Sequence, residues 1–200
     1  MSKTIVFDFG GVLIDWDPRY LYRKLIENEA EIDAFLSDIC TPEWNILQDA
    51  GRPLADATAE RIALYPDHEE MIKAFYDRWE EMLGGAIEET VDILRQLKSD
   101  GQVIYGLTNW SRETFPIALE RYDFLHWFEG TVVSGTEKLA KPDPAIFKLL
   151  LERYGLQAQD CLFIDDSKAN IAAAYKIGFD THHFSSPQGL RDKLTNENFL

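Results

Sequence analysis

Carboxylates, a hydroxyl, an amide and an amine stand in this chain where apolar runs stop. Asp8 closes a run that starts at Lys3 and continues Thr4-Ile5-Val6-Phe7, and Phe9-Gly10-Gly11-Val12-Leu13 follows it. Thr108-Asn109 closes Val103-Ile104-Tyr105-Gly106-Leu107, and Asp165-Asp166-Ser167 closes Cys161-Leu162-Phe163-Ile164. Lys141-Pro142 follows a further apolar run at 130–133. Each has a plain alternative, since Asp, Asn and Gly favour turns and a Lys before Pro is often a surface residue. A charge at the end of a buried strand is costly unless something pairs with it. Asp8 therefore calls for a metal, a lysine or a ring of backbone N–H groups nearby, and the other strand ends offer such groups.

The chemistry that uses this set is substitution at phosphorus. Two or three carboxylates around one point repel, and a divalent hard cation such as Mg²⁺ relieves the repulsion while neutralising phosphate oxygens. Asp8 is then the nucleophile, giving an aspartyl-phosphate that water hydrolyses. Lys141 pairs with Asp8 and the transferred group. The Thr108 hydroxyl, with Asn109 beside it, and the backbone N–H groups of the turn after Asp8 hold the phosphoryl oxygens. Gly10 and Gly11 let that turn approach closely.

The elements that position these residues follow from periodicity. From 84 onward, helices at 86–98, 112–121, 144–154 and 168–177 alternate with strands at 103–107, 130–133 and 161–164, and a last strand and helix close the chain. Strands apolar throughout and separated by helices indicate a parallel sheet covered on both faces. Ligands of such sheets bind outside the carboxyl ends of the strands. Residues 15–84 lack a strand-like run and read as a helical insert: Thr41-Pro42 opens a short helix that stops near Gly51, and 54–64 and 68–83 form two more. The core is thus assigned to 1–14 and 85–200. Trp44, Phe75, Tyr76, Trp79 and Met82 read as packing residues, and Trp16, Trp44 and Trp110 either pack or line a pocket.

Composition narrows the function further. The 200 residues carry a formal charge of −15, which disfavours binding to a phosphate backbone. No apolar run approaches a membrane span and the N-terminus lacks a secretory pattern, so a cytoplasmic protein with no nucleic-acid or membrane partner is expected. Cys40 and Cys161 read as buried thiols. His182 and His183, adjacent on a strand, point to opposite sides and read as structural.

Asp8-Phe9-Gly10-Gly11-Val12-Leu13, Leu107-Thr108-Asn109, Lys141-Pro142 and Phe163-Ile164-Asp165-Asp166-Ser167 with Asn170 resemble the four ordered motifs of the haloacid dehalogenase superfamily of hydrolases. The resemblance implies a Rossmann-like core with the insert as a cap domain, and an aspartyl-enzyme intermediate at Asp8. It also implies Mg²⁺ held by Asp8, by the Gly10 carbonyl and by Asp166, with Asp165 acting through water. The expected activity is hydrolysis of a small phosphorylated metabolite by a monomer or homodimer. The phosphatases of the superfamily carry a second Asp two positions after the nucleophile as general acid and base, and this chain has Gly10 there. Asp15 or Asp17 is the expected substitute. The Gly-Gly-Val turn, Asp15-x-Asp17 and Asp165-Asp166-Ser167 are similar to the branch with glucose-1-phosphate phosphatases, which implies an activated, sugar 1-phosphate-like substrate. The alternatives are a metal-free 2-haloacid dehalogenase and a non-catalytic phosphometabolite-binding member. Against the first, the superfamily's dehalogenases place neutral residues where this chain has Asp165-Asp166, which would repel an anionic substrate.

Overall fold

The structure, a computed structural model, describes residues 4–200; Lys3 and the two residues before it, assigned above to the first strand and core, lie outside the described residues. The central strand is β1 (Thr4–Phe7). Ile5 and Phe7 enter one apolar cluster and Val6 the other, all fully buried, so the run of apolar residues serves two faces at once. A short antiparallel pair follows, β2 (Ile14–Trp16) with β3 (Leu83–Ala86). The remaining strands are β4 (Ile104–Thr108), β5 (Gly130–Val133), β6 (Cys161–Asp165) and β7 (Asp180–His183). They join β1 in a sheet of order β5-β4-β1-β6-β7, every pair parallel.

Between β2 and β3 run α1 (Arg19–Tyr22), α2 (Glu29–Asp38), α3 (Pro42–Asp49), α4 (Leu54–Leu64) and α5 (Glu69–Asp77). The sheet is flanked by α6 (Glu88–Ser99), α7 (Phe115–Arg121), α8 (Ser134–Glu137), α9 (Pro144–Tyr154), α10 (Lys168–Ile177) and α11 (Pro187–Asn196). This is the expected Rossmann-like α/β architecture. One face buries Phe147 and Phe163 edge to face at 5.4 Å, and each fully buried aromatic contributes about 1.5–3 kcal/mol. The chain leaves β1 for β4 and β5 on one side and returns to β6 and β7 on the other, so the strand order reverses at β1. Asp8 stands at that reversal, where α/β sheets open a ligand crevice.

Three local expectations are corrected. The β2–β3 pair occupies the junctions placed at 14/15 and 84/85; its strands span three and four residues, and Gly84-Gly85 has little strand propensity, so no periodicity announces it. The helix expected from 86 starts at Glu88, because residue 86 is in β3 and the Ile87 N–H donates to the Leu13 carbonyl. The helix expected at 68–83 ends at Asp77 and resumes as a 3₁₀ turn at Trp79–Met82, which carries Trp79 towards the sheet.

Candidate active site

The Asp8 N–H donates to the Ile164 carbonyl at 2.9 Å, which continues the β1–β6 ladder by one step and sets Asp8 beside Asp165. Lys141 rises beneath both. Its Nζ lies 2.8 Å from Asp8 Oδ2 and 2.7 Å from Asp165 Oδ2, and it donates to the Leu107 carbonyl at 2.9 Å. An ammonium has three N–H groups, and all three are engaged. The Asn109 amide fixes the lysine from its own backbone: Nδ2 donates to the Lys141 carbonyl at 2.9 Å and Oδ1 accepts from the Lys141 N–H at 2.8 Å. Asn109, expected to meet substrate, thus borders the crevice with its polar atoms already committed to the lysine.

Asp165 is fully buried. It accepts from Lys141, from the Ser167 N–H at 2.8 Å and from Asn170 Nδ2 at 3.0 and 3.1 Å. Asp166 is the exposed member of the pair, and His183 Nε2 lies 2.9 Å from its backbone carbonyl. One donor oxygen from each of Asp8, Asp165 and Asp166 lies within 4.8 Å of the others. Three carboxylates thus face one ammonium, and hard oxygen donors in excess negative charge suit a divalent hard cation. Burial, opposed by Lys141 and reinforced by Asp165, pushes the Asp8 carboxyl up; burial and Asp165 push Asp166 up as well. For Lys141, burial pulls down but the two carboxylates outweigh it, and the net direction is up.

The turn after Asp8 is built for close approach. The Phe9 N–H donates to Asp8 Oδ1 at 2.7 Å and the Gly11 N–H to the Ile14 carbonyl at 2.9 Å, and among the described residues the Gly10 N–H has no protein acceptor. Gly11 has φ +71°, and a Cβ there would sit 2.8 Å from Asp166 Cγ, so both backbone and space demand glycine. The Thr108 hydroxyl is fully buried and has no hydrogen-bond partner among the described residues.

The crevice is a cavity of about 260 Å³. Asp8, Gly10, Gly11, Asn109 and Asp166 form its sheet side, and Trp16, Trp79, Trp110, Asn45 and Asp49 enclose it. Trp79, read from sequence as packing, is one of three indoles there, whereas Trp44 is buried against Phe75 and Tyr76. The two expected substitute acids are elsewhere. Asp15 Oδ2 accepts from the Tyr20 hydroxyl at 2.6 Å, Asp17 Oδ1 accepts from the Arg19 N–H at 2.8 Å, and neither lines the cavity. Asp49 was not singled out by its sequence; nothing but its place in the last turn of α3, just before Gly51, marks it.

Comparison with known proteins agrees with this architecture. Residues 2–178 match the family described as haloacid dehalogenase-like hydrolase. The chain is 25% identical over 186 residues to the sesquiterpene phosphatase astK of Aspergillus oryzae, covering 92% of this chain and 90% of that protein. It is 25% identical over 183 residues to the fructose-1-phosphate phosphatase YqaB of Escherichia coli, with 88% and 93% covered. The magnesium complex of a HAD family enzyme from Bacteroides thetaiotaomicron shares the fold at a TM-score of 0.72 and 24% identity, over 92% of this chain and 93% of that one. The strand order, the reversal at Asp8 and the family match lead to one assignment: this chain is an enzyme of the haloacid dehalogenase-like hydrolases.

Proposed function

We propose that the protein is a Mg²⁺-dependent phosphatase that hydrolyses a small phosphorylated metabolite through an aspartyl-phosphate on Asp8. The observation that carries this reading is the charge count at the strand ends: three carboxylates within 4.8 Å of one another meet a single lysine. Asp8, Asp166 and the Gly10 carbonyl would hold the cation, with Asp165 oriented behind them. Bound there, it supplies charge neutralisation for the phosphoryl oxygens. The magnesium complex of the Bacteroides enzyme and the phosphatase names of the two relatives support the choice of metal and reaction.

In this mechanism Asp8 attacks phosphorus while Lys141 favours its ionised form against the effect of burial and holds the carboxylate in place. The Gly10 N–H is the turn donor left for a phosphoryl oxygen, and the buried, unpartnered Thr108 hydroxyl at the end of β4 is a second donor available to one. The helical segment 15–84 acts as a cap, with Trp16, Trp79 and Asn45 selecting the leaving group by apolar faces and a few polar contacts. A 2-haloacid substrate fits worse, because its own carboxylate would enter a site already in negative excess.

p-Nitrophenyl phosphate tests the reading. Phosphate release that requires Mg²⁺, and a phosphorylated wild-type chain that Asp8→Asn no longer yields, are the expected results. Metal-independent turnover, or unchanged turnover in Asp8→Asn, would refute it. A panel of sugar, polyol and terpenoid phosphates then defines the substrate.

A further inference from the structure

An alcohol leaving group needs a proton, and Gly10 cannot give one. We infer that Asp49, carried over the strand ends by α3, donates that proton to the leaving-group oxygen and later accepts one from the attacking water. The assignment rests on the phosphatase reading above.

The geometry is specific. Asp49 lines the same cavity as Asp8, Gly10 and Asp166, and also the adjoining 480 Å³ cavity into which a leaving group would extend. The end of α3 is bolted to the sheet. Ser134 Oγ donates to the Asp49 carbonyl and accepts from the Trp110 N–H at 2.8 Å. Gly135 packs so closely beneath that a Cβ would stand 2.7 Å from the Trp110 carbonyl. The side chain is steered as well. Gln48 Nε2 donates to the Tyr76 hydroxyl at 3.0 Å, so that hydroxyl donates onward to Asn45 Oδ1 at 3.1 Å. This orients the Asn45 amide so that Nδ2 donates to Asp49 Oδ2 at 3.0 Å. Gln48, Tyr76 and Asn45 thus hold one carboxyl in a fixed pose on the wall of the cavity that Asp8 also lines.

Its surroundings suit a proton carrier. The groups that face it are the Asn45 amide and Tyr76 from the helical side and the Ser111 N–H from the loop after β4, and Asp8 and Asp166 line the same cavity. Arg19 and Asp33 line the far end of the adjoining cavity, and Arg52 is paired with Glu60. Burial, opposed by the Ser111 N–H, pushes the Asp49 carboxyl up to about 7. A general acid is most effective with a pKa near the working pH. The steps balance: Asp8 bonds to phosphorus, the P–O bond to the leaving group breaks with its electron pair on oxygen, and that oxygen takes the Asp49 proton. Asp49, now a carboxylate, takes a proton from water as the water oxygen attacks the phosphoryl group, and Asp8 departs as carboxylate.

The test compares leaving groups. For Asp49→Asn, the rate of Asp8 phosphorylation from an alkyl phosphate should fall about 10²–10⁴-fold, while the p-nitrophenol burst, whose leaving group needs no proton, should fall about tenfold or less. The dependence of rate on leaving-group pKa should steepen accordingly. As a second variant, Asn45→Ala removes a donor to the Asp49 carboxylate and should shift the alkaline limb of kcat/KM to higher pH. Equal losses on both substrates, or an unmoved limb, would overturn the role of Asp49 and leave the phosphatase reading intact. A wild-type chain that Mg²⁺ and p-nitrophenyl phosphate never phosphorylate would instead remove that reading, and this one with it.

Discussion

Replacing Lys141 with Met keeps a long buried side chain and deletes its charge. In the native site the ammonium lies 2.8 Å from Asp8 and 2.7 Å from Asp165, with the three side chains at most 10% exposed. Removing one partner of a buried ion pair costs about 3–5 kcal/mol, because the charge left behind is uncompensated. In a domain of this size 1 kcal/mol corresponds to about 2–4 °C, so the melting midpoint should fall by roughly 6–20 °C. The deficit should also depend on pH. Lys141 opposes the burial that raises Asp8, so its loss lifts the folded-state pKa of Asp8 further above the unfolded value. A raised folded pKa gives stability that is present at low pH and lost as pH rises through it. With the wild-type carboxyl already pushed up to about 8, the gap between Lys141→Met and wild type should therefore be smallest below about pH 7 and grow from about pH 8 towards about pH 9.5. Adding Asp165→Asn removes one of the stranded charges, and the double variant should melt above Lys141→Met alone. Thermal melts followed by circular dichroism in chelator-treated buffer decide the matter. A midpoint within about 3 °C of wild type, a gap flat across that pH range, or a double variant less stable than the single one would show that charge balance does not govern this site.

Three further outcomes follow. Gly11→Ala places a methyl against Asp166 at a positive φ, and should weaken Mg²⁺ binding by about tenfold or more, read by isothermal calorimetry. Ser134→Ala strips the Trp110 N–H and the Asp49 carbonyl of their shared hydroxyl; a loss of about 1–3 kcal/mol is expected in urea unfolding, with a larger drop in turnover of alkyl than of nitrophenyl phosphate. With Asp49 required as an acid, kcat/KM for an alkyl phosphate should decline above about pH 7, and the decline should be absent from the p-nitrophenol burst.

Much of the sheet side of the site is legible in the sequence. Each strand there is an apolar run broken by a polar residue, so Asp8, Thr108 and Asp165 announce both the strand and its end. Lys141 is legible less directly, because only its place after β5 hints that it turns inward, and the amide clasp by Asn109 cannot be read without coordinates. The opposite wall is hidden for a different reason. Trp16, Asn45, Asp49 and Trp79 come from three separate places in the chain, the end of β2, α3 and the 3₁₀ turn, and α3 is held where it is by its contact with Ser134 and the Trp110–Ser111 loop. Asp49 sits in the last turn of a polar-apolar helix where an acidic residue is ordinary; its environment, not its neighbours in sequence, makes it unusual. Asp15 and Asp17 attract attention by proximity to the nucleophile, yet their hydrogen bonds to Tyr20 and the Arg19 N–H show them shaping the chain's exit from the sheet.

The pairing of β2 with β3 has a consequence for how such a chain can diversify. Antiparallel neighbours stand about 5 Å apart, so everything from Asp17 to Met82 departs from and returns to nearly the same point. A stretch with adjoining ends can be lengthened, trimmed or exchanged for an unrelated one while the ladder of parallel strands stays in register. Grafting a different stretch at that ribbon would import new walls and a new proton carrier together, leaving the nucleophile and its lysine untouched.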